Sequence, residues 1–92
     1  MLSKDKIEEI LHQSMNVDRL VVIDDSAKHA GHAESTKSGG GHFSIHIVSD
    51  AFVGKTRVQR HKMIYMILND YMGQGIHALA IKAQTVAELE QK

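Results

Sequence analysis

The sequence predicts an α+β domain in which helices pack on one face of a three-stranded mixed sheet. Three patterns support this fold class. Apolar residues from Thr56 to Met72 recur every three or four positions, as in an amphipathic helix. His42 to Ser49 alternates polar and apolar residues, as in a strand with one buried face. Residues 20–23, and residues 77–81 apart from His77, are short apolar runs with the length of strands.

The N-terminal part predicts a helix, a strand and a loop. Ser3 can cap the helix, whose apolar stripe is Ile7, Ile10, Leu11 and Met15. The β-branched run Leu20–Ile23 then predicts a buried strand. Ser26–Gly41 is polar and contains four glycines, and we interpret it as a long loop joining two antiparallel strands.

A long central helix is predicted to begin at Thr56, because Gln59 stands three residues later and completes a capping box. Gly73 and Gly75 are expected to end it with positive φ angles. The side of the helix expected to face the core carries Val58, His61, Ile64, Tyr65, Leu68, Tyr71 and Met72.

The rest of the chain completes the predicted order. Phe52 is expected to anchor a short turn or helix before the central helix, and His77–Ile81 is expected to form the third strand. Thr85 and Glu88 form a second capping box for a C-terminal helix. The order is α-β-β-α-α-β-α, and residues 1–92 are expected to form a single domain.

Composition excludes several classes of protein. Eleven basic residues balance eleven acidic ones, so any nucleic-acid binding requires a local patch. There is no cysteine, which excludes disulfides and thiolate metal ligands from this chain. The longest apolar run, Met63–Leu68, is too short to span a membrane, and the first residues lack a signal core. We therefore expect a cytoplasmic protein.

Residues 49–56 imitate a phosphate-binding loop, because they end in Gly-Lys-Thr between a strand and a helix. The required first glycine is replaced by Ser49, so a helix cap explains the segment better. No nucleophile, base and orienting group occur together, and the chain is not expected to be an enzyme.

A basic cluster lies at the start of the central helix and is either a solvated helix face or a phosphate-contacting surface. Its members are Lys55, Arg57, Arg60 and Lys62.

Seven histidines are the unusual feature of the composition, because histidine is the commonest metal ligand. His29 and His32 lie in the glycine-rich loop, where packing does not require histidine. His77 follows two glycines and opens a strand, so it can project from the sheet edge. These positions suggest a metal site with two ligands, although spacing alone does not bring them together. Ordinary surface or core positions are the preferred interpretation for His42, His46 and His61.

Several ordered fragments together resemble the BolA family over nearly the whole chain. The most specific fragments are Arg60-His61-Lys62-Met63-Ile64-Tyr65 and His77-Ala78-Leu79-Ala80-Ile81. The others are Asp24-Asp25-Ser26 with His29, Gly41-His42-Phe43, Ile47-Val48-Ser49 and Phe52-Val53-Gly54-Lys55.

The resemblance implies a fold like that of class II KH domains and a heterodimer with a monothiol glutaredoxin. The pair is expected to hold a 2Fe-2S cluster together with glutathione, for iron-sulfur cluster trafficking or iron sensing. In the family, a histidine at the position of His77 is a cluster ligand. The second ligand comes from the loop position that here is His29, with His32 as the alternative.

Members of the family are also described as DNA-binding transcriptional regulators, which is the alternative function for the basic face from Lys55 to Lys62. KH domains grip single strands with a Gly-x-x-Gly loop. Here the corresponding connection is Phe52-Val53-Gly54-Lys55, with one glycine, so this grip is not expected. A homodimer is a further expectation that the sequence leaves open.

Overall fold

A three-stranded sheet forms the centre of the structure, a computed structural model that describes residues 2–25 and 41–91. Its strands are β1, Arg19–Asp24; β2, His42–Val48; and β3, Ala78–Gln84. β2 lies in the middle, antiparallel to β1 and parallel to β3. The predicted mixed sheet is therefore confirmed. The predicted loop between β1 and β2 lies, except for Gly41, outside the described residues.

In the described part of the chain, three α-helices and two 3₁₀ turns accompany the strands. The helices are α1, Lys4–Ser14; α2, Arg57–Ile67; and α3, Val86–Glu90. The 3₁₀ turns span Asp50–Phe52 and Asn69–Tyr71, so the short helix expected around Phe52 is a 3₁₀ turn. Within the described residues the order is otherwise as predicted, apart from the added 3₁₀ turn Asn69–Tyr71. No helix in the described part of the chain is both long and apolar enough to cross a bilayer.

Side-chain caps fix where each helix begins. The Ser3 hydroxyl accepts a hydrogen bond from a backbone N–H of α1 at 3.2 Å. In α2 the predicted capping box is complete, because Thr56 N–H donates to Gln59 Oε1 at 2.9 Å and Gln59 N–H donates to Thr56 Oγ1 at 3.1 Å. Thr85 and Glu88 repeat the arrangement at α3. Thr56 is therefore a helix cap, as the sequence indicated.

One hydrophobic core fills the space between the helices and one face of the sheet. The alternation predicted for β2 is confirmed, since Phe43, Ile45 and Ile47 are at most 3% exposed. The other members, all at most 6% exposed, are Ile7, Leu11, Val22, Phe52, Ile64, Leu68 and Ile76.

β1 is not the buried strand that its apolar run predicted. It lies at the edge of the sheet, and only Val22 is buried. Val21 and Ile23 point to the face without helices and are 40% and 48% exposed. A β-branched run is therefore compatible with an edge strand that has one covered face.

The prediction of which central-helix residues face the core is partly wrong. Ile64 and Leu68 are fully buried, but Val58 is 63% exposed and Tyr65 is 39% exposed. At about 100° per residue, Val58 and Tyr65 lie roughly 100° or more around the helix from Ile64. The helix also ends at Ile67, because the next residues form a 3₁₀ turn. Positions beyond Leu68 therefore do not continue the helical period.

Candidate functional site

His77 lies at the end of the sheet where β2 and β3 begin. Its backbone N–H donates to the Gly41 carbonyl at 2.8 Å, immediately before β3 starts. The preceding turn is closed by a 2.8 Å bond from Gly73 N–H to the Ile76 carbonyl. Gly73 has the expected positive φ, at +83°, whereas Gly75 does not. The His77 side chain is exposed, and no described residue hydrogen-bonds to its imidazole.

Gly41 forms the surface against which His77 lies. Its φ is +86°, and a Cβ at this position would lie 2.8 Å from His77 Cδ2. The same Cβ would lie 2.7 Å from the Gly75 carbonyl oxygen, far inside van der Waals contact. Glycine is therefore required both by the backbone conformation and by the space. The His77 imidazole therefore lies close to the Gly41 backbone, at the end of the sheet where β2 and β3 begin.

The covalent connection allows a loop histidine to reach His77. β1 ends beside the start of β2, and β2 begins beside β3, so β1 and β3 are two strand spacings apart, or roughly 10 Å. His29 follows Asp25 by four residues, which span at most about 13–14 Å when extended. His29 and His32 lie outside the described residues, so their pairing with His77 stays a prediction.

The other described histidines of the sheet and α2 have different surroundings. His46 Nε2 lies 2.7 Å from Gln84 Oε1 on the face of the sheet without helices. His42 is half-buried and is paired in register with Ala78, and His61 is half-buried on α2. Within residues 2–25 and 41–91, no group of three or more His, Cys, Asp or Glu side chains could hold a metal. A metal or cluster bound at His77 would therefore need ligands from the loop or from a partner.

Arg60, one of the four predicted basic residues, is a structural contact. Its guanidinium holds Glu88 at both carboxylate oxygens, with Nη1 at 2.6 Å and Nη2 at 3.0 Å. It also donates to the carbonyls of Lys55 and Ala83 and lies 5.9 Å from the Phe52 ring centroid. The hydrogen bonds from Arg60 and from the Thr85 backbone lower the pKa of Glu88 to about 2, and Glu88 raises the pKa of Arg60. Arg60 therefore ties α2 to α3.

The remaining basic residues are exposed, and some of them share a groove. Lys55, Arg57 and Lys82 line a surface groove of about 850 Å³ between α2, β3 and α3. His61 also lines it, whereas Lys62 is exposed outside it. Lys82 was absent from the predicted cluster because it lies on β3, far from the others in sequence. Only the fold shows that Lys82 lines the same groove as Lys55 and Arg57.

Comparison with known proteins gives matches over most of the chain. A family model described as BolA-like protein matches residues 11–88. The chain is 46% identical over 88 residues to "SufE-like protein 1, chloroplastic/mitochondrial" of Arabidopsis thaliana, covering 91% of this chain and 24% of that protein. It is 36% identical over 90 residues to "DNA-binding transcriptional regulator BolA" of Escherichia coli, covering 98% and 82%.

Other relatives also differ from this chain in length. "Protein BOLA1, chloroplastic" of Arabidopsis thaliana is 35% identical over 89 residues, covering 95% of this chain and 56% of that protein. The chain thus spans about a quarter of SufE-like protein 1 and just over half of BOLA1.

Two solved structures resemble the fold closely. "BolA domain of SufE1 from Arabidopsis thaliana" superposes with a TM-score of 0.79 at 43% identity, covering 96% of this chain and 99% of that one. "BolA1 from Arabidopsis thaliana" superposes with a TM-score of 0.81 at 33% identity, covering 96% of each chain. Sequence and fold therefore lead to the same group of proteins.

Proposed function

Because this chain belongs to the BolA family, we propose that it is a non-enzymatic adaptor that binds a monothiol glutaredoxin and shares a 2Fe-2S cluster with it. In this proposal His77 is the fixed ligand from this chain. His29 is the second ligand, with His32 as the alternative. The pair acts in iron-sulfur cluster trafficking or iron sensing.

The observation that carries the proposal is the exposed imidazole of His77, seated on Gly41. The bond between His77 N–H and the Gly41 carbonyl fixes the backbone, and the glycine leaves room for the ring. A ligand on a fixed backbone loses little conformational freedom when it binds. Since the chain has no cysteine, the thiolates must come from the glutaredoxin and glutathione. When bound, the cluster supplies an iron-sulfur unit that can be transferred or reduced.

Co-purification tests this proposal. The full chain is co-expressed with a tagged monothiol glutaredoxin and glutathione, and the iron content and visible spectrum of the captured complex are measured. His77→Ala should remove the spectrum that distinguishes the complex from glutaredoxin alone. His77→Cys should keep the cluster but lower its reduction potential, because thiolate carries negative charge that imidazole lacks. A purely structural role for His77 does not predict this shift in potential.

The matched control is His12→Ala, which removes an exposed histidine from α1. It should leave the iron content and spectrum unchanged. His29→Ala and His32→Ala, compared side by side, identify the loop ligand as the one whose loss makes the cluster labile. The ligand assignment is wrong if His77→Ala retains the iron, the spectrum and the stability of the wild-type complex.

Nucleic-acid binding is the second candidate, favoured by the groove that brings Lys55, Arg57 and Lys82 together. The Escherichia coli relative is named a DNA-binding transcriptional regulator. Arg60 is engaged with Glu88, so the exposed residues of the groove are the better phosphate contacts. Phosphate contacts made from several elements would position a strand without reading its sequence.

Salt titration of DNA binding tests this second candidate. Arg57→Ala combined with Lys82→Ala should weaken binding across sequences and reduce the salt slope by about one unit for each lost contact. Lys4→Ala combined with Lys6→Ala on α1 removes the same two positive charges and is the control for a change in net charge. If the double variant and the control give the same affinity and slope, the groove is not the nucleic-acid site.

We also propose a cytoplasmic location, since a chain without cysteine folds without disulfides and the proposed glutathione ligation needs a reducing compartment. Two of the relatives carry plastid designations in their names. Fractionation of cells that express the native gene product separates a cytoplasmic from an organellar location.

A further inference from the structure

β3 forms an outer edge of the sheet, and the direction of its backbone groups can be worked out. Among the described strands it pairs only with β2. Ala78 N–H donates to the Gly41 carbonyl at 3.2 Å, so Ala78 directs its backbone groups toward β2. Because this direction alternates along a strand, the other even-numbered residues of β3 do the same. The N–H and C=O groups that point outward therefore belong to Leu79, Ile81 and Ala83.

Side chains of α2 cover this edge at two points and leave a gap between them. The Tyr65 hydroxyl donates to the Leu79 carbonyl at 3.4 Å, and Arg60 Nη1 donates to the Ala83 carbonyl at 3.0 Å. Between these two carbonyls lie the Ile81 N–H, the Ile81 C=O and the Ala83 N–H. No described residue hydrogen-bonds to any of these three groups. The gap therefore presents a donor, an acceptor and a second donor, and an open edge of this kind is a template for a further strand.

The gap lies in the groove between α2, β3 and α3. Ile81 and Ala83 line this groove and are half-buried in it. Its volume of about 850 Å³ falls within the range of roughly 300–1,000 Å³ that is usual for ligand sites. The lining residues of β3 belong to its C-terminal half, whereas His77 precedes the first residue of the strand. The groove and the His77 surface are therefore separate sites.

The groove has a positive charge that no described side chain neutralises. Its exposed cations Lys55, Arg57 and Lys82 make no ion pair or side-chain hydrogen bond within the described ranges. Among the lining residues, all of which the structure describes, Glu88 alone is acidic. Arg60 already holds Glu88 at both carboxylate oxygens. The groove is therefore complementary to a ligand with negative charges.

We propose that this groove binds an extended acidic segment of a partner protein, which adds to β3 as a short strand. In strand addition, main-chain hydrogen bonds hold the peptide and side-chain contacts select it. The outward groups of Ile81 and Ala83 match the main chain of about three extended residues. The uncompensated cations of the groove select acidic side chains. The two carbonyls capped by α2 prevent a longer strand from pairing along the whole edge.

The backbone groups favour a peptide over DNA, the other candidate ligand of this groove. The sugar-phosphate backbone of DNA carries no hydrogen-bond donor for the Ile81 carbonyl. An extended peptide supplies both donors and acceptors at the spacing of a strand, so it can satisfy Ile81 and Ala83 together. A peptide and DNA would compete for the groove, and a direct competition separates them. This inference does not depend on cluster binding at His77.

NMR titration of the full chain with a short blocked peptide of alternating glutamate and valine tests the site. The peptide should bind, and its affinity should fall as the salt concentration rises. Amide exchange at Ile81 and Ala83 should slow in the complex, because both N–H groups become hydrogen-bonded. The same peptide with lysine in place of glutamate should neither bind nor slow this exchange.

N-methylation of the peptide separates strand addition from simple attraction between charges. Each residue of the glutamate peptide is methylated in turn, which removes one N–H donor at a time. Only alternate residues of an added strand turn their N–H groups toward β3, so the loss of affinity should alternate along the peptide. Methylation of the residue that donates to the Ile81 carbonyl should weaken binding by about fivefold. Attraction between charges alone predicts equal affinities throughout the series.

Three variants of the chain test the same contacts. Ala83→Pro removes an outward N–H without removing a bond to β2, and it should weaken binding of the glutamate peptide by about fivefold. Lys82→Glu should also weaken binding, because it reverses a charge in the groove. Lys62→Glu makes the same reversal on exposed surface outside the groove and should bind like the wild-type chain. The methylation series uses the wild-type chain and so does not depend on how well Ala83→Pro folds.

Four results would overturn the proposal. The first is a wild-type chain that does not bind the glutamate peptide, and the second is binding with unchanged amide exchange at Ile81 and Ala83. The third is an equal loss of affinity at every methylated position. The fourth is single-stranded oligothymidylate that binds more tightly and displaces the peptide, since the groove would then belong to nucleic acid.

Discussion

Replacing Gly41 with alanine tests whether the start of β2 fixes the position of His77. The left-handed conformation at φ +86° costs an alanine roughly 1–2 kcal/mol. The new Cβ would also lie 2.7 Å from the Gly75 carbonyl oxygen, and overpacking of this kind typically costs about 1–3 kcal/mol. Because the clash is with backbone, it cannot be relieved by a side-chain rotation. We expect the free energy of unfolding to fall by roughly 2–5 kcal/mol.

Gly54→Ala is the matched control for the steric part of this effect. Gly54 has a φ of +77°, and a Cβ there would meet nothing within 4 Å. It should therefore lose only the conformational contribution of roughly 1–2 kcal/mol. Urea unfolding of the wild-type chain, Gly41→Ala and Gly54→Ala gives the loss in free energy of unfolding for each variant. The NMR signals of the His77 ring should move only in Gly41→Ala. Equal destabilisation by the two variants, with an unmoved His77 ring, would refute the argument.

Three further variants test the core, a helix cap and the Arg60–Glu88 pair. Phe52→Ala, at a fully buried site, should cost about 3–5 kcal/mol in urea unfolding, whereas Val53→Ala, at a side chain 63% exposed, should stay within about 0.5 kcal/mol. Thr56→Ala should lower the free energy of unfolding by about 0.5–2 kcal/mol, because it removes the α2 cap. Thr56→Ser should retain most of this stability, since serine can cap the helix in the same way. An equal loss of stability in both variants would contradict the capping role of Thr56. Since the pKa of Glu88 is lowered from its usual 4.5 to about 2, its charge stabilises the fold above pH 4.5, and this stabilisation is lost as the pH falls through about 2. Thermal unfolding of wild type and Glu88→Gln should therefore differ at neutral pH and converge in acid, and a constant difference would contradict the assignment.

The sequence predicts local features well because short-range contacts determine them. Thr56 and Gln59 satisfy each other's backbone groups within one turn, so the start of α2 can be located without the rest of the fold. The alternation in β2 likewise follows from one covered face, and it identified Phe43, Ile45 and Ile47 as core residues.

Features that depend on distant residues could not be predicted in this way. Arg60 was grouped with the exposed basic residues, because its partner Glu88 lies 28 positions later. The contact between Gly41 and His77 depends on the parallel pairing of β2 with β3. Val21 was interpreted as buried because a β-branched run does not reveal whether its strand has one neighbour or two.

The parallel pairing of β2 with β3 has a consequence for folding kinetics. His42 pairs with Ala78, so the ladder joins residues 36 positions apart (78 − 42) and requires closure of a long chain segment. Contacts of this range generally form late and slow the folding of small domains. The hydrogen bond between His77 N–H and the Gly41 carbonyl can form only when the same chain segment has closed and β2 lies beside β3. We therefore expect an emerging or partly folded chain to lack the ordered His77 surface, so that a partner recognising this surface would engage only molecules whose sheet is complete.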